Sequence, residues 1–114
     1  MDKFSEPLDG IFQALADPTR RAVLRRLAAG PASIPELAQP FDMALPSFLK
    51  HIQQLEGSGL IHTRKQGRVR TCALAEARFA LVEGWLARQR ALWEARADRL
   101  EQLVMAVQER NPTQ

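Results

Sequence analysis

Apolar residues recur every three or four positions along most of the chain, and the pattern turns strand-like only between Leu60 and Leu74. Leu8, Ile11, Phe12 and Leu15 form one face of a short first helix. Asp17-Pro18 marks a second start, because Asp accepts from the orphan amides of a first turn and Pro has no amide to leave unpaired there. This helix is expected from about Pro18 to Ala29, with Val23, Leu24 and Leu27 inward and Gly30-Pro31 as its stop. Ser33 and Glu36 stand at capping-box spacing and predict a third helix from Ile34 to about Gln39, closed by Pro40. A fourth helix over Leu45–Gly57 tolerates Pro46 in its first turn and buries Phe48, Ile52 and Leu55. Its other side carries Ser47, Lys50, Gln53 and Gln54.

Beyond Gly57 and Gly59 come two strand-like runs, Leu60 to Lys65 and Arg68 to Leu74, with Gln66-Gly67 as the hairpin loop. The stretch from about Glu76 to Arg110 is helical, with Leu81, Val82, Trp85, Leu86, Leu92, Trp93, Leu100, Leu103, Val104 and Val107 on a broad stripe and Asn111-Pro112 as its end. Gly84 is a point where that helix could kink, since Gly costs about 1 kcal/mol relative to Ala in a helix interior. Two short helices followed by a strand pair outline a winged helix-turn-helix. The expected fold is therefore mainly α with a small β-hairpin, one domain over residues 1–110 and a disordered tail at 111–114.

At 114 residues and 46% hydrophobic content the chain suits one ordinary core. Its net charge of +3 is unevenly placed: from Ala44 to Leu74 the cations Lys50, Arg64, Lys65, Arg68 and Arg70 face one acid, Glu56, while acids and bases nearly cancel elsewhere. Charge gathered on one element points to a polyanion. Few aromatics and no Tyr speak against a single-strand reader built on stacking platforms, so a duplex fits better. No apolar run approaches the roughly 18 residues needed to span a bilayer, and Met1-Asp2-Lys3-Phe4 lacks signal-peptide character, so no membrane partner and a cytoplasmic location are expected. The lone Cys72 excludes an internal disulfide.

Taken in order, Ala14-Leu15-Ala16-Asp17-Pro18-Thr19-Arg20-Arg21, Ile34-Pro35-Glu36-Leu37-Ala38, Lys50-His51-Ile52-Gln53-Gln54-Leu55-Glu56-Gly57-Ser58-Gly59-Leu60-Ile61 and Arg64-Lys65-Gln66-Gly67-Arg68 resemble the ArsR-type winged-helix repressors of bacteria over nearly the whole chain. The resemblance implies a homodimeric transcription regulator that binds double-stranded operator DNA. It places the Leu45–Gly57 helix in the major groove and the hairpin along the flanking backbone. It also puts the first and last helices at the dimer interface, here Leu8, Ile11 and Phe12 with Trp85, Leu86, Leu92, Trp93, Leu100, Leu103 and Val104. The terminal stripe supports the same reading independently: it is either intramolecular core or a seam between copies, and a chain of this length has little else with which to cover it. Three departures stand out, namely Ala44 where the family often has Ser, Leu49 where it usually has a small polar residue, and Thr71 and Cys72 near a frequent Tyr. Leu49 could meet a thymine methyl group. Metal-sensing relatives carry a cysteine pair where this chain has Ala38 and Pro40, so the metal-independent branch is implied, with no metal and no cofactor.

Candidate DNA contacts follow from chemistry. Lys50 could reach a guanine edge or a phosphate, Ser47, Gln53 and Gln54 offer base-reading hydroxyl and amide groups, and His51 adjoins the buried stripe as a packing or phosphate-binding residue. Arg64, Lys65, Arg68 and Arg70 put four cations within seven residues, which repel one another without a counter-charge such as phosphate. The run Arg20, Arg21, Arg25 and Arg26 reads instead as the outer face of an amphipathic helix, with Arg20 or Arg21 pairing with an acid. Cys72 is either a small apolar residue or a redox or metal switch. No Gly-rich phosphate loop and no catalytic Ser/His/Asp or Cys/His spacing is present, so catalytic residues are not assigned. The expected function is a homodimeric repressor on an inverted-repeat operator, with an unidentified small-molecule effector left open. The rivals are a winged-helix protein-interaction module and a metal- or redox-responsive repressor using Cys72.

Overall fold

Local capping chemistry sets where the helices begin. In the computed structural model, which describes residues 7–110, the Asp17 carboxylate accepts from the Arg20 amide at 3.0 Å and starts α2 (Pro18–Leu27) behind α1 (Pro7–Leu15). Ser33 and Glu36 cap α3 (Ile34–Ala38) reciprocally: the Glu36 amide donates to Ser33 Oγ at 3.3 Å and the Ser33 amide to Glu36 Oε1 at 3.4 Å. By contrast α4 (Leu45–Gly57) starts at Ala44 with no side-chain cap, the weaker start that this residue predicts. Both α2 and α3 stop slightly earlier than expected, at Leu27 and Ala38.

Three strands form one antiparallel sheet in the order β1-β3-β2. The hairpin strands are β2 (Ile61–Gln66) and β3 (Val69–Leu74), and β1 (Ala32–Ser33) is an addition that two residues after a proline could not announce by alternation. It pairs Ala32 with Cys72 and Ser33 with Thr71. The hairpin loop lies one residue later than expected, at Gly67-Arg68 instead of Gln66-Gly67, because Gly67 supplies positive φ (64°) at the first loop position, as a type II′ turn requires. That slip changes the register, so that Lys65 stands opposite Arg70 and Arg64 opposite Thr71.

Phe48, Ile52 and Leu55 from α4 meet Val23, Leu24 and Leu27 from α2 in the core, as the apolar spacing predicts, and Leu37 from α3 joins them. Ile11 is fully buried in the same cluster, a correction to its expected place at a dimer interface: its side chain points into its own domain. Leu8 is half-buried and Phe12 is exposed. The last helix, α5 (Glu76–Arg110), continues through Gly84 without a break.

The chain divides into two units between Val82 and Glu83. In the first, Phe79 and Val82 of α5 pack against the core. In the second, the described residues are one helix whose Leu86, Leu92, Trp93, Leu100, Leu103 and Val104 are all exposed, Trp93 to 71%. The expected tail at 111–114 and the N-terminal residues Met1 to Phe4 lie outside the described residues.

Candidate nucleic-acid interface

The polar side of α4 is divided between two neighbours. On one flank the Arg20 guanidinium of α2 donates through Nη1 to His51 Nδ1 (3.1 Å) and to Gln54 Oε1. On the other flank Leu49 and Gln53 line a cleft with Ile34, Ile52, Glu56, Thr63 and Arg70. Ser47 and Lys50 lie exposed on the helix, with no hydrogen bond or ion pair to another described residue. Of the five α4 residues expected to contact DNA, Ser47, Lys50 and Gln53 are therefore unencumbered, while His51 and Gln54 are held by Arg20, a use the local pattern does not show.

Cross-strand register sorts the wing cations. Directly opposed residues of an antiparallel pair project from the same face, so Lys65 and Arg70 lie on the face of Thr63 and Cys72, Arg64 shares the other face with Thr71, and Arg68 occupies the turn. The tip is thus two-sided. Arg70 is tied inward: its Nη1 donates to Thr63 Oγ1 at 2.7 Å, and the Thr63 hydroxyl donates to Glu56 Oε2 of α4 at 2.8 Å. This relay joins the wing to the helix and sets an acid near Arg70. Lys65 has no counter-charge of its own among the described residues, and like charges opposed across a ladder are unfavourable until an anion comes between them.

The cationic run on α2 serves helix ends. Arg20 Nε and Nη2 donate to the carbonyls of Ala14 (2.7 Å) and Gln13 (3.0 Å), and Arg21 Nη1 to that of Leu15 (2.7 Å). The expected acid partner is only partly met: neither guanidinium forms an ion pair among the described residues, although the charge of Arg20 acts on Asp17. Both bond instead to the last carbonyls of α1, which lack intrahelical donors and attract cations at the negative end of the helix dipole. Arg26 does meet an acid, Glu36, at 3.7 Å on the surface. Asp17 lies 3.7 Å from His51. Partial burial works to raise its carboxyl pKa, yet the Arg20 amide, the neighbouring His51 and Arg20 side chains, and the Thr19 amide together hold it below the ordinary value.

Cys72 is fully buried, and burial, with Glu56 adding and Arg70 opposing, pushes its thiol pKa up, away from the thiolate that redox or metal chemistry requires. His62 stands opposite Ala73, on the other sheet face from Cys72, so the two do not converge. Among the described residues no three His, Cys, Asp or Glu side chains gather as a metal site, and no helix is long and apolar enough to cross a membrane.

A helix-turn-helix domain model matches residues 15–64, the stretch from the end of α1 into β2. The HTH-type transcriptional regulator Rv2034 of Mycobacterium tuberculosis is 38% identical over 74 residues, 65% of this chain and 68% of that protein. The transcriptional repressor SdpR of Bacillus subtilis is 30% identical over 61 residues, 54% of this chain and 68% of its own. Among solved structures, an ArsR family transcriptional regulator is 70% identical with a TM-score of 0.76, over 78% of this chain and 98% of that one. Such likeness, reaching from the Asp17 cap through α4 to the wing, belongs to DNA-binding regulators and not to enzymes, and this chain is a member of the ArsR family of winged helix-turn-helix transcriptional regulators.

Proposed function

We propose that the protein is a homodimeric repressor, of the branch that works without a metal, and that it binds an inverted-repeat operator in duplex DNA. The observation that carries the reading is the junction of α4 and the wing. Gln53 and Arg70 line one cleft, the Glu56–Thr63–Arg70 relay holds helix and hairpin together, and Lys50 stands exposed on the same helix. Ser47, Lys50 and Gln53 then read base edges in the major groove, while Arg64, Lys65, Arg68 and Arg70 meet phosphates beside it. His51 and Gln54 act from behind, as supports of α4.

Pairing rests on Leu86, Leu92, Trp93, Leu100, Leu103 and Val104, whose exposure on one helix is more contiguous apolar surface than a lone copy keeps in water. Two copies related by a two-fold axis present two copies of α4 to successive major grooves, about 34 Å apart. The test is selection from a random duplex library followed by sequencing. Enrichment of an inverted repeat whose half-sites are about 10 base pairs apart is expected. Recovery of no preferred duplex would end this reading.

A further inference from the structure

We infer that Arg20 is a positioning residue for DNA reading: its guanidinium fixes the roll of α4 about its own axis, and so decides where Lys50 and Gln53 point, without touching DNA itself. The inference rests on the DNA-binding reading above. All three guanidinium nitrogens are engaged within the protein: Nε with the Ala14 carbonyl at 2.7 Å, Nη2 with that of Gln13 at 3.0 Å, and Nη1 with His51 Nδ1 at 3.1 Å and with Gln54 Oε1. The backbone amide of the same residue completes the Asp17 cap at 3.0 Å. One side chain therefore ties the end of α1, the start of α2 and the flank of α4.

The chemistry makes the contact directional. Arginine only donates, so His51 Nδ1 must be the acceptor, which assigns the ring proton to Nε2, and Gln54 must turn its carbonyl oxygen inward. The 3.7 Å approach of Asp17 to the same Nδ1 is the weaker contact, because a nitrogen that accepts from Arg20 has no hydrogen left for a carboxylate.

The geometry makes it a control on roll. Buried Phe48, Ile52 and Leu55 set which face of α4 turns inward, and His51 and Gln54, three residues apart on one flank, pin both ends of a helical turn against the smaller roll that packing leaves. Lys50 and Gln53 each precede one of the anchors by one residue, and any roll at the anchors is passed to them in full. A roll of about 10° moves a side-chain tip some 5–6 Å from the axis by about 1 Å. Reading sites need placement to within about 0.5 Å. Arg20 is thus placed to govern sequence discrimination more than affinity as such.

The experiment compares wild type, Arg20→Ala, Arg20→Lys, Gln54→Ala and the Arg20→Ala/Gln54→Ala double variant. Each is titrated by fluorescence anisotropy against the selected duplex and against a random duplex of equal length, over a range of salt. Arg20→Ala and Gln54→Ala are each expected to lower the preference for the selected duplex about 10-fold, the effect of one misread base pair. Random-duplex affinity and the salt slope should stay unchanged. The double variant should be no worse than Arg20→Ala, and Arg20→Lys, which lacks the fork, should not restore the preference. Equal loss on both duplexes with a shallower salt slope would make Arg20 a phosphate contact and overturn the inference. A lowered denaturation midpoint with preference intact would overturn it too, as would additive losses, which would make Gln54 a direct reader. If Arg20→Ala does not fold, Gln54→Ala, which leaves α1 capped, decides: unchanged preference refutes the inference. Imidazole ¹⁵N shifts measured without DNA separate the two levels. Nε2–H in wild type and a shift toward Nδ1–H in Arg20→Ala report the clamp even if wild type prefers no duplex, a result that would sink the DNA reading alone.

Discussion

Along α5, Phe79 and Val82 pack against the core of the winged unit, whereas Trp93, Leu100 and Leu103 farther along the same helix are 71%, 63% and 61% exposed. The residue types are alike and the backbone is equally helical. What differs is the neighbour: the early residues pack among the apolar side chains of the winged unit, while the described residues of the second unit are one helix with no apolar partner within that unit. Burial follows from available surface and not from hydrophobicity alone. The winged unit stabilises itself, while the second unit carries apolar area whose transfer from water is worth about 25 cal/mol per Å² once something covers it.

This contrast can be broken most forcefully at the core. Phe48→Ala removes a fully buried ring and should cost about 3–5 kcal/mol, read as a fall in the denaturant midpoint. Next in size, Trp93→Ala with Leu100→Ala should weaken self-association by at least about 2 kcal/mol, roughly 30-fold in dissociation constant by sedimentation, without altering the circular dichroism of the winged unit. If the pair of changes left the oligomeric state untouched, the seam on α5 would be wrong.

Smaller effects sharpen the picture of the wing. In a dimer, Arg68→Ala should remove two phosphate contacts and lower the magnitude of the salt slope by about two, weakening all duplexes alike in anisotropy titrations. Arg70→Ala should do less, because that guanidinium is already shared with Thr63 and Glu56. The smallest expected change is Asp17→Ala, about 1 kcal/mol from loss of the α2 cap. Since folding lowers the Asp17 carboxyl pKa, its contribution is fully present above the unfolded value and disappears as pH falls through the folded one. Stability of wild type and Asp17→Ala should therefore converge in acid, below about pH 4.

How much of this is legible without coordinates depends on the range of each interaction. The Asp17 cap, the Ser33/Glu36 box and the bounds of α4 come from residues within one helical turn of one another, and the spacing shows them directly. The hairpin was foreseeable, but not its register, because Gln66-Gly67 and Gly67-Arg68 both offer the glycine that a two-residue loop needs. His51 and Gln54 look like part of an open polar face until Arg20, more than thirty positions away, is seen to hold them. A helical pattern marks which side of α4 is polar, but it carries no mark of which neighbour reaches that side.

The family, the winged architecture and the concentration of charge between Lys50 and Arg70 are written in the linear order of residues, since caps, periodicity and turn glycines act over a few positions. Tertiary structure alone decided that Ile11 is core, that Lys65 opposes Arg70, and which α4 side chains remain unencumbered. The reason is physical: those outcomes rest on contacts between segments far apart in the chain, and their geometry exists only once packing has brought the segments together.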